Sequence, residues 1–229
     1  MSLIDDLVTA NHILAAHNIV DGFGHVSVRS ASDRFLLSRS LAPASVTAAD
    51  VVEFDLDCKP VLADNRTFYK ERFIHSEIYR VRPDVVSVTH FHALSVIPFG
   101  ITPIPLRPVY HMSSFVGEGV PVFEIRDVSA DTDLLISTPE LGMALAKTLA
   151  DKPAALMRGH GAVVVAGSLM EAVSRSIYLD CNARAQAQAM ALSSEVAYLS
   201  PAEVKNRRGN SDTSRDWNLW KQQVAPSDK

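Results

Sequence analysis

The sequence predicts an α/β fold in a single domain spanning residues 1–229, and three observations lead there. Segments with helical apolar spacing alternate with short β-branched runs, as expected for helices packed on a sheet. Hydrophobic residues make up 47% and charged residues 21% of the 229 positions, enough apolar surface to close a sizeable core. No internal repeat or low-complexity tract interrupts the pattern, so one domain accounts for the chain.

The elements follow in order. Leu3, Leu7 and Leu14 with Ile4, Val8 and Ala15 form an apolar stripe over Ser2 to Asn18, and Gly22 lies beyond its end, which predicts a helix. His25 to Arg29 alternates as a strand, Ser32 to Arg34 is turn-like, and Phe35 to Ser38 returns as the second strand of a hairpin. Thr47 to Asp50 resembles a helix start soon overtaken by a strand over Val51 to Asp55, with Asp57 to Lys59 as its turn. Glu71 to Arg82 has Phe73, Ile74, Ile78 and Val81 on or near one face and stops at Pro83, so a second helix is expected.

Val85 to His92 is β-branched and reads as a buried strand, followed by a helical-looking Ala93 to Ile97. Pro98 to Pro108 holds four prolines and should be irregular, with a short strand over Val120 to Ile125 after it. Thr138 can cap a helix with Pro139 at its first position, running to Leu149 before Lys152-Pro153. Strands over Ala154 to Met157 and Ala162 to Ala166 flank Arg158-Gly159-His160-Gly161, and Ser168 with Glu171 opens a long helix to about Leu192. Residues 201–229 are polar and weakly patterned apart from Trp217 and Trp220, a C-terminal tail or an arm that docks elsewhere.

Composition narrows the function. A formal net charge of -4 without a sustained Lys/Arg run argues against nucleic acid, so a small-molecule ligand is expected. The N-terminus has no basic leader pattern, and no apolar run reaches the roughly 18 residues of a membrane span. Cys58 and Cys181 lie far apart with no CxxC spacing, which fits a reducing cytoplasm.

Histidine spacing carries the chemistry. Alternate side chains of a strand share a face, so His90 and His92 present two imidazoles to one point. Phe91 turns the other way into apolar packing. His160 sits between two glycines, where the backbone can turn tightly and approach closely. Three imidazoles would hold a divalent metal ion and leave coordination positions open. On spacing alone, the strand pair reads equally well as polar edge decoration. Glu71, at the start of its helix, suits either a dipole-stabilised cap or a general base, and His75 one turn on suits a structural hydrogen bond.

Gly24-His25-Val26-Ser27, Glu71-x3-His75, His90-x-His92 and Gly159-His160-Gly161, ending in a long Ala-rich helix, together resemble the class II aldolase/adducin family over roughly residues 3 to 200. The resemblance implies an αβα class II aldolase-like fold with a central mixed sheet flanked by helices. It further implies a homotetramer with each active site near a subunit interface. It makes His90, His92 and His160 the metal ligands and Glu71 the acid/base group or a fourth ligand. Zinc is the default ion, and manganese, cobalt or iron also suit three histidines.

Departures from the family's sugar-phosphate aldolases redirect the substrate. Their phosphate-binding small residues are replaced by Gly24-His25, Ser40-Leu41 and Tyr69-Lys70, which removes the close backbone approach a phosphate needs. The implied pocket is instead walled by His25, Ser38, Arg39, Ser40 and Lys70, with cationic groups suited to carboxylates. The neighbouring-subunit tyrosine of the fuculose-phosphate aldolases is replaced by His111, preceded by Tyr110, and either could serve as acid or base. The stretches GHVSVR, SRSLAP, ERFIHSEIYRVRPDV, RPVYHM and LMRGHG are most similar to the decarboxylase branch. That branch includes enzymes of hydroxypyridine dicarboxylates, dihydroxyphthalates and carboxy-hydroxymuconate semialdehydes.

The expectation is therefore a metal-dependent carbon–carbon lyase. It would decarboxylate a hydroxy-substituted aromatic or heteroaromatic carboxylate, or a related muconate-type acid, through a stabilised enolate. The alternatives are an aldolase acting on a small unphosphorylated hydroxy-keto acid and a non-catalytic adducin-like interaction module.

Overall fold

The computed structural model describes residues 2–207 and 212–225. Seven strands are found among them: β1 (His25–Ala31), β2 (Arg34–Ser38), β3 (Val51–Asp55), β4 (Ser87–Phe91), β5 (Val122–Phe123), β6 (Ala154–Met157) and β7 (Gly161–Ala166). They form one mixed sheet in the order β3-β2-β1-β4-β7-β6-β5, antiparallel except for the parallel β5–β6 pair. The helices are α1 (Leu3–Ala16), α2 (Phe73–Val81), α3 (Ile97–Ile101), α4 (Pro139–Leu149), α5 (Leu169–Leu192), α6 (Pro201–Arg207) and α7 (Thr213–Val224).

Two apolar clusters, one on each face of the sheet, make the architecture αβα. Leu7, Leu14, Val26, Phe91, Val164, Val173 and Trp220 pack where α1, α5 and α7 cover one face. Phe35, Phe54, Ile74, Ile78, Val88, Leu145 and Val163 pack where α2 and α4 cover the other. Central β4 is buried along its whole length. Period-two alternation sends Phe91 into the α1/α5 cluster and Val88 into the α2/α4 cluster, so His90 shares the α2 side. β1 runs antiparallel beside β4 with His25 directly opposite His90, and β7 flanks the other edge with Val163 opposite His90.

Two of the element expectations need correction, and a third is resolved. Glu71 does not lie in the α-helix: Lys70–Arg72 is a single 3-10 turn, and Glu71 has φ −87° and ψ 16° before α2 begins at Phe73. The short helix expected at Ala93 lies instead over Ile97–Ile101, inside the proline-rich stretch, because Pro98 sits in its first turn, where no N–H is required. The chain after Pro201, readable from sequence as a tail or a docked arm, is docked where it is described. It forms α6 and α7, and Trp217 and Trp220 are buried, with Trp220 meeting His17 of the α1 C-cap at 4.9 Å between ring centroids. The parts of that arm at 208–211 and 226–229 lie outside the described residues. No helix among the described residues is long and apolar enough to cross a membrane.

Candidate metal centre and active site

His90 and His92 project from the C-terminal end of β4, and His160 is brought to them by the turn between β6 and β7. Glycine makes that approach feasible at two positions. Gly159 has φ +65°, which most side chains avoid. A Cβ on Gly161 would stand 2.1 Å from the Phe91 carbonyl oxygen, so only glycine lets β7 press against the end of β4.

One ligand atom from each of Glu71, His90, His92 and His160 falls within 4.8 Å of the others. Nε2 of His92 is 2.9 Å from Nε2 of His90 and 3.1 Å from Nε2 of His160. Oε2 of Glu71 is 3.6 Å from His90 Nε2 and 3.5 Å from His160 Nε2. An ion about 2.0–2.1 Å from four tetrahedral ligands sets those ligands roughly 3.3 Å apart. The four observed edges bracket that spacing.

Proton bookkeeping supports the same fit. His90 Nδ1 lies 3.0 Å from the Ala162 carbonyl and His160 Nδ1 lies 2.8 Å from the Leu134 carbonyl. A carbonyl can only accept, so both rings donate Nδ1–H and turn bare Nε2 lone pairs inward. His92 Nε2 carries at most one hydrogen, so at least one of its two contacts sets bare nitrogens face to face. That contact is repulsive without a cation between the rings. Burial, followed by the neighbouring His90 and His160, lowers the His92 pKa to about 4, which leaves it neutral near pH 7.

Glu71 is held from behind. Its Oε1 accepts the backbone N–H of Ile136 at 2.9 Å, leaving Oε2 toward the histidines. Burial opposes its ionisation, but the facing His160 and His90 rings outweigh that and hold its carboxyl well below the usual range. Leu134 and Ile136 belong to one loop, so a single backbone segment orients His160 and Glu71 together. Leu134 adopts φ +70°, a strained value that aims this loop's carbonyl and N–H groups.

The other expected residues fall into two groups. His25 stacks at a tilt on Tyr69, with ring centroids 4.5 Å apart, and lies 5.1 Å from the His90 ring. Burial first, then His75 and His90, holds the His25 pKa well below its ordinary value, so it joins the site as a neutral ring rather than a cation. The Tyr69 hydroxyl donates to the Leu41 carbonyl and lies 3.5 Å from Ser38 Oγ, and Ser40 is partly buried nearby in the chain. Arg39 Nε donates to Asp50 at 2.6 Å, which orients the guanidinium and leaves its other nitrogens without a partner among the described residues. Lys70 is exposed at the turn carrying Glu71.

Tyr110 and His111 lie elsewhere. His111 lines a cavity of about 810 Å³ with Val85, Pro153, Ala166, Arg175 and Tyr178, at the end of the β4–β7 pair remote from His90 and His160. Three steps of β4 at about 3.3 Å each, roughly 10 Å, separate His90 from Ser87, which pairs with Ala166 at that end. The Tyr110 hydroxyl turns inward, and burial, followed by Cys181 and Tyr178, pushes its pKa up. His111 is exposed. Asn182 on α5 secures this loop, accepting from Val109 N–H and Ser113 Oγ and donating to the Arg107 carbonyl.

Sequence reasoning missed Leu134 and Ile136, which act through backbone groups and carry no pattern. It also missed Tyr69 as a wall of the site and the buried partners of His75.

Known proteins match this chain along most of its length. The model of the Class II Aldolase and Adducin N-terminal domain matches residues 5–187. The decarboxylase tropJ of Talaromyces stipitatus is 38% identical, over 95% of this chain and 92% of its own. A 3,4-dihydroxyphthalate decarboxylase from a Terrabacter species is 32% identical, over 85% of this chain and 83% of its own. Among solved structures, an L-fuculose 1-phosphate aldolase shares the fold with a TM-score of 0.78 at 20% identity, over 92% of this chain and 97% of its own.

Proposed function

The chain belongs to the class II aldolase and adducin family and is a lyase, and from that premise we propose a metal-dependent decarboxylase of hydroxy-substituted aromatic or heteroaromatic carboxylates, or of related muconate-type acids. The observation that carries this reading is the inward turn of His90, His92 and His160 onto one point beside Glu71. Metal dependence follows from the donor set: three imidazoles and a carboxylate suit zinc or manganese, with cobalt or iron also accommodated. When bound there, a divalent ion supplies a Lewis acid that draws off the negative charge left on the substrate as carbon dioxide departs.

The residues of the chain do the rest. His90 and His160 keep fixed rings through their Nδ1–H bonds, so the site stays open on the substrate side. Glu71, tied to Ile136, is the fourth ligand or the group that holds a proton at Oε2. Arg39, oriented by Asp50, and exposed Lys70 receive the carboxylates, with Ser38 and Ser40 beside them. His111 delivers the proton to the carbon that loses the carboxylate, and because it lies remote from its own histidines it serves a neighbouring copy. We therefore assign a homotetramer with sites at subunit interfaces, Tyr110 supporting the His111 loop from inside. Two free cysteines suit the cytoplasm.

The assay is direct. Carbon dioxide should be released from an ortho-hydroxy aromatic dicarboxylate or a muconate-type acid. Pyruvate or an aldehyde from a hydroxy-keto acid, with no carbon dioxide from any of the former, would make it an aldolase instead.

A further inference from the structure

We propose that His75, Ser27 and Tyr79 form a buried relay that fixes His25 with its proton on Nδ1, so that His25 meets the substrate only as a hydrogen-bond acceptor and selects a hydroxyl. The proposal rests on the hydroxy-acid decarboxylase reading for its substrate, and on geometry for the relay.

The chain of contacts is continuous. His25 Nδ1 lies 2.6 Å from His75 Nε2, and His75 Nδ1 lies 2.6 Å from Ser27 Oγ. Ser27 Oγ is 2.8 Å from the Tyr79 hydroxyl, which reaches the Val86 carbonyl at 3.3 Å. His25, Ser27, His75 and Tyr79 are all buried between β1 and α2, on the side of the sheet that carries His90. Among the described residues no carboxylate is hydrogen-bonded to either ring, and the two rings meet nitrogen to nitrogen at 2.6 Å, a contact that one shared hydrogen satisfies, so each ring holds one proton.

Counting hydrogens then fixes the direction. Four contacts are shared by four hydrogens, one each on His25, His75, Ser27 and Tyr79, and the Val86 carbonyl at the end can only accept. All four bonds form in one arrangement: Tyr79 donates to Val86, Ser27 to Tyr79, His75 Nδ1 to Ser27, and His25 Nδ1 to His75 Nε2. The reverse order satisfies three. Nε2 of His25 is consequently bare, and no described residue partners it. A lone pair there repels an ionised carboxylate and receives an O–H. The relay thus separates two recognition tasks, with His25 reading the hydroxyl while Arg39 and Lys70 take carboxylates.

The test uses metal-replete protein labelled with 15N-histidine, with 2-hydroxybenzoate and 2-methoxybenzoate as probes. Solid-state 15N spectra should assign His25 as the Nδ1–H form. Ser27→Ala should mix the two tautomers and reduce the preference for the hydroxy over the methoxy acid about tenfold, the scale of one lost hydrogen bond. Tyr79→Phe, which removes the terminal donor and with it the acceptor of Ser27, gives a second perturbation should Ser27→Ala fold poorly, and should also loosen the tautomer. A wild-type His25 carrying its proton on Nε2, or a tautomer and probe preference unmoved in both variants, overturns the proposal. Neither readout needs turnover, so an enzyme that fails to release carbon dioxide yet keeps the Nδ1–H signal counts against the decarboxylase reading alone.

Discussion

Ile136 donates its backbone N–H to Oε1 of Glu71 at 2.9 Å, across 65 positions of sequence. This bond separates the structural use of Glu71 from its chemical use. Glu71→Gln keeps an oxygen for Ile136 and should retain stability while activity falls at least about 100-fold. Glu71→Ala strands a buried N–H and should cost a further ~1–3 kcal/mol in urea denaturation. Equal stability in the two variants would show that the bond contributes nothing.

Gly161 should tolerate no side chain. Its Cβ would stand 2.1 Å from the Phe91 carbonyl oxygen, so β7 must shift and carry the His160 turn with it. Gly161→Ala is expected to lose about 3 kcal/mol and lower Tm by several degrees. Gly22→Ala, where nothing lies within 4 Å, should stay within about 0.5 kcal/mol.

Stability should fall in mild acid because of His75. Its folded pKa of about 3 lies below the ordinary 6.5, so the unfolded chain binds the extra proton. The sign follows: stability is undiminished above pH 6.5 and declines as pH drops from there toward 3, by about 1.4 kcal/mol per pH unit for one such group. His75→Gln should be less stable at neutral pH yet show a shallower decline in urea midpoint between pH 6 and 4.

His111 is predicted to act across a subunit boundary, as its cavity lies at the end of the sheet remote from His90 and His160. His111→Ala and His92→Ala subunits, each inactive alone, should regain activity when assembled together. Random mixing places an intact His111 beside an intact metal site in about a quarter of cases. No recovery in mixed assemblies would return His111 to a structural role.

The grouping of His90, His92 and His160 was legible because a strand has period two and because glycines on both sides of one histidine mark a tight turn. Helix order and most strands were legible for the same reason, since each carries its own apolar period. The contacts that orient these side chains were not. Leu134 and Ile136 contribute a carbonyl and an N–H from a loop 26 and 65 positions away from His160 and Glu71, and no residue type encodes such groups. His25 read as potentially cationic in sequence, and only the β1–β4 register, which seats it opposite His90 in a buried layer, reveals a neutral ring. Trp217 and Trp220 gave two apolar points in a polar tail, too few to show that they dock on α1 and α5.

The measurement that bears most directly on the account is metal content and carbon dioxide release from a dihydroxyphthalate, determined on the same purified sample before and after chelation. The account predicts about one divalent ion per chain, activity lost with the ion and regained with zinc or manganese, and neither ion nor activity in His92→Ala. Undiminished carbon dioxide release from metal-free protein, or a stoichiometric ion retained without His90 and His92, would contradict it.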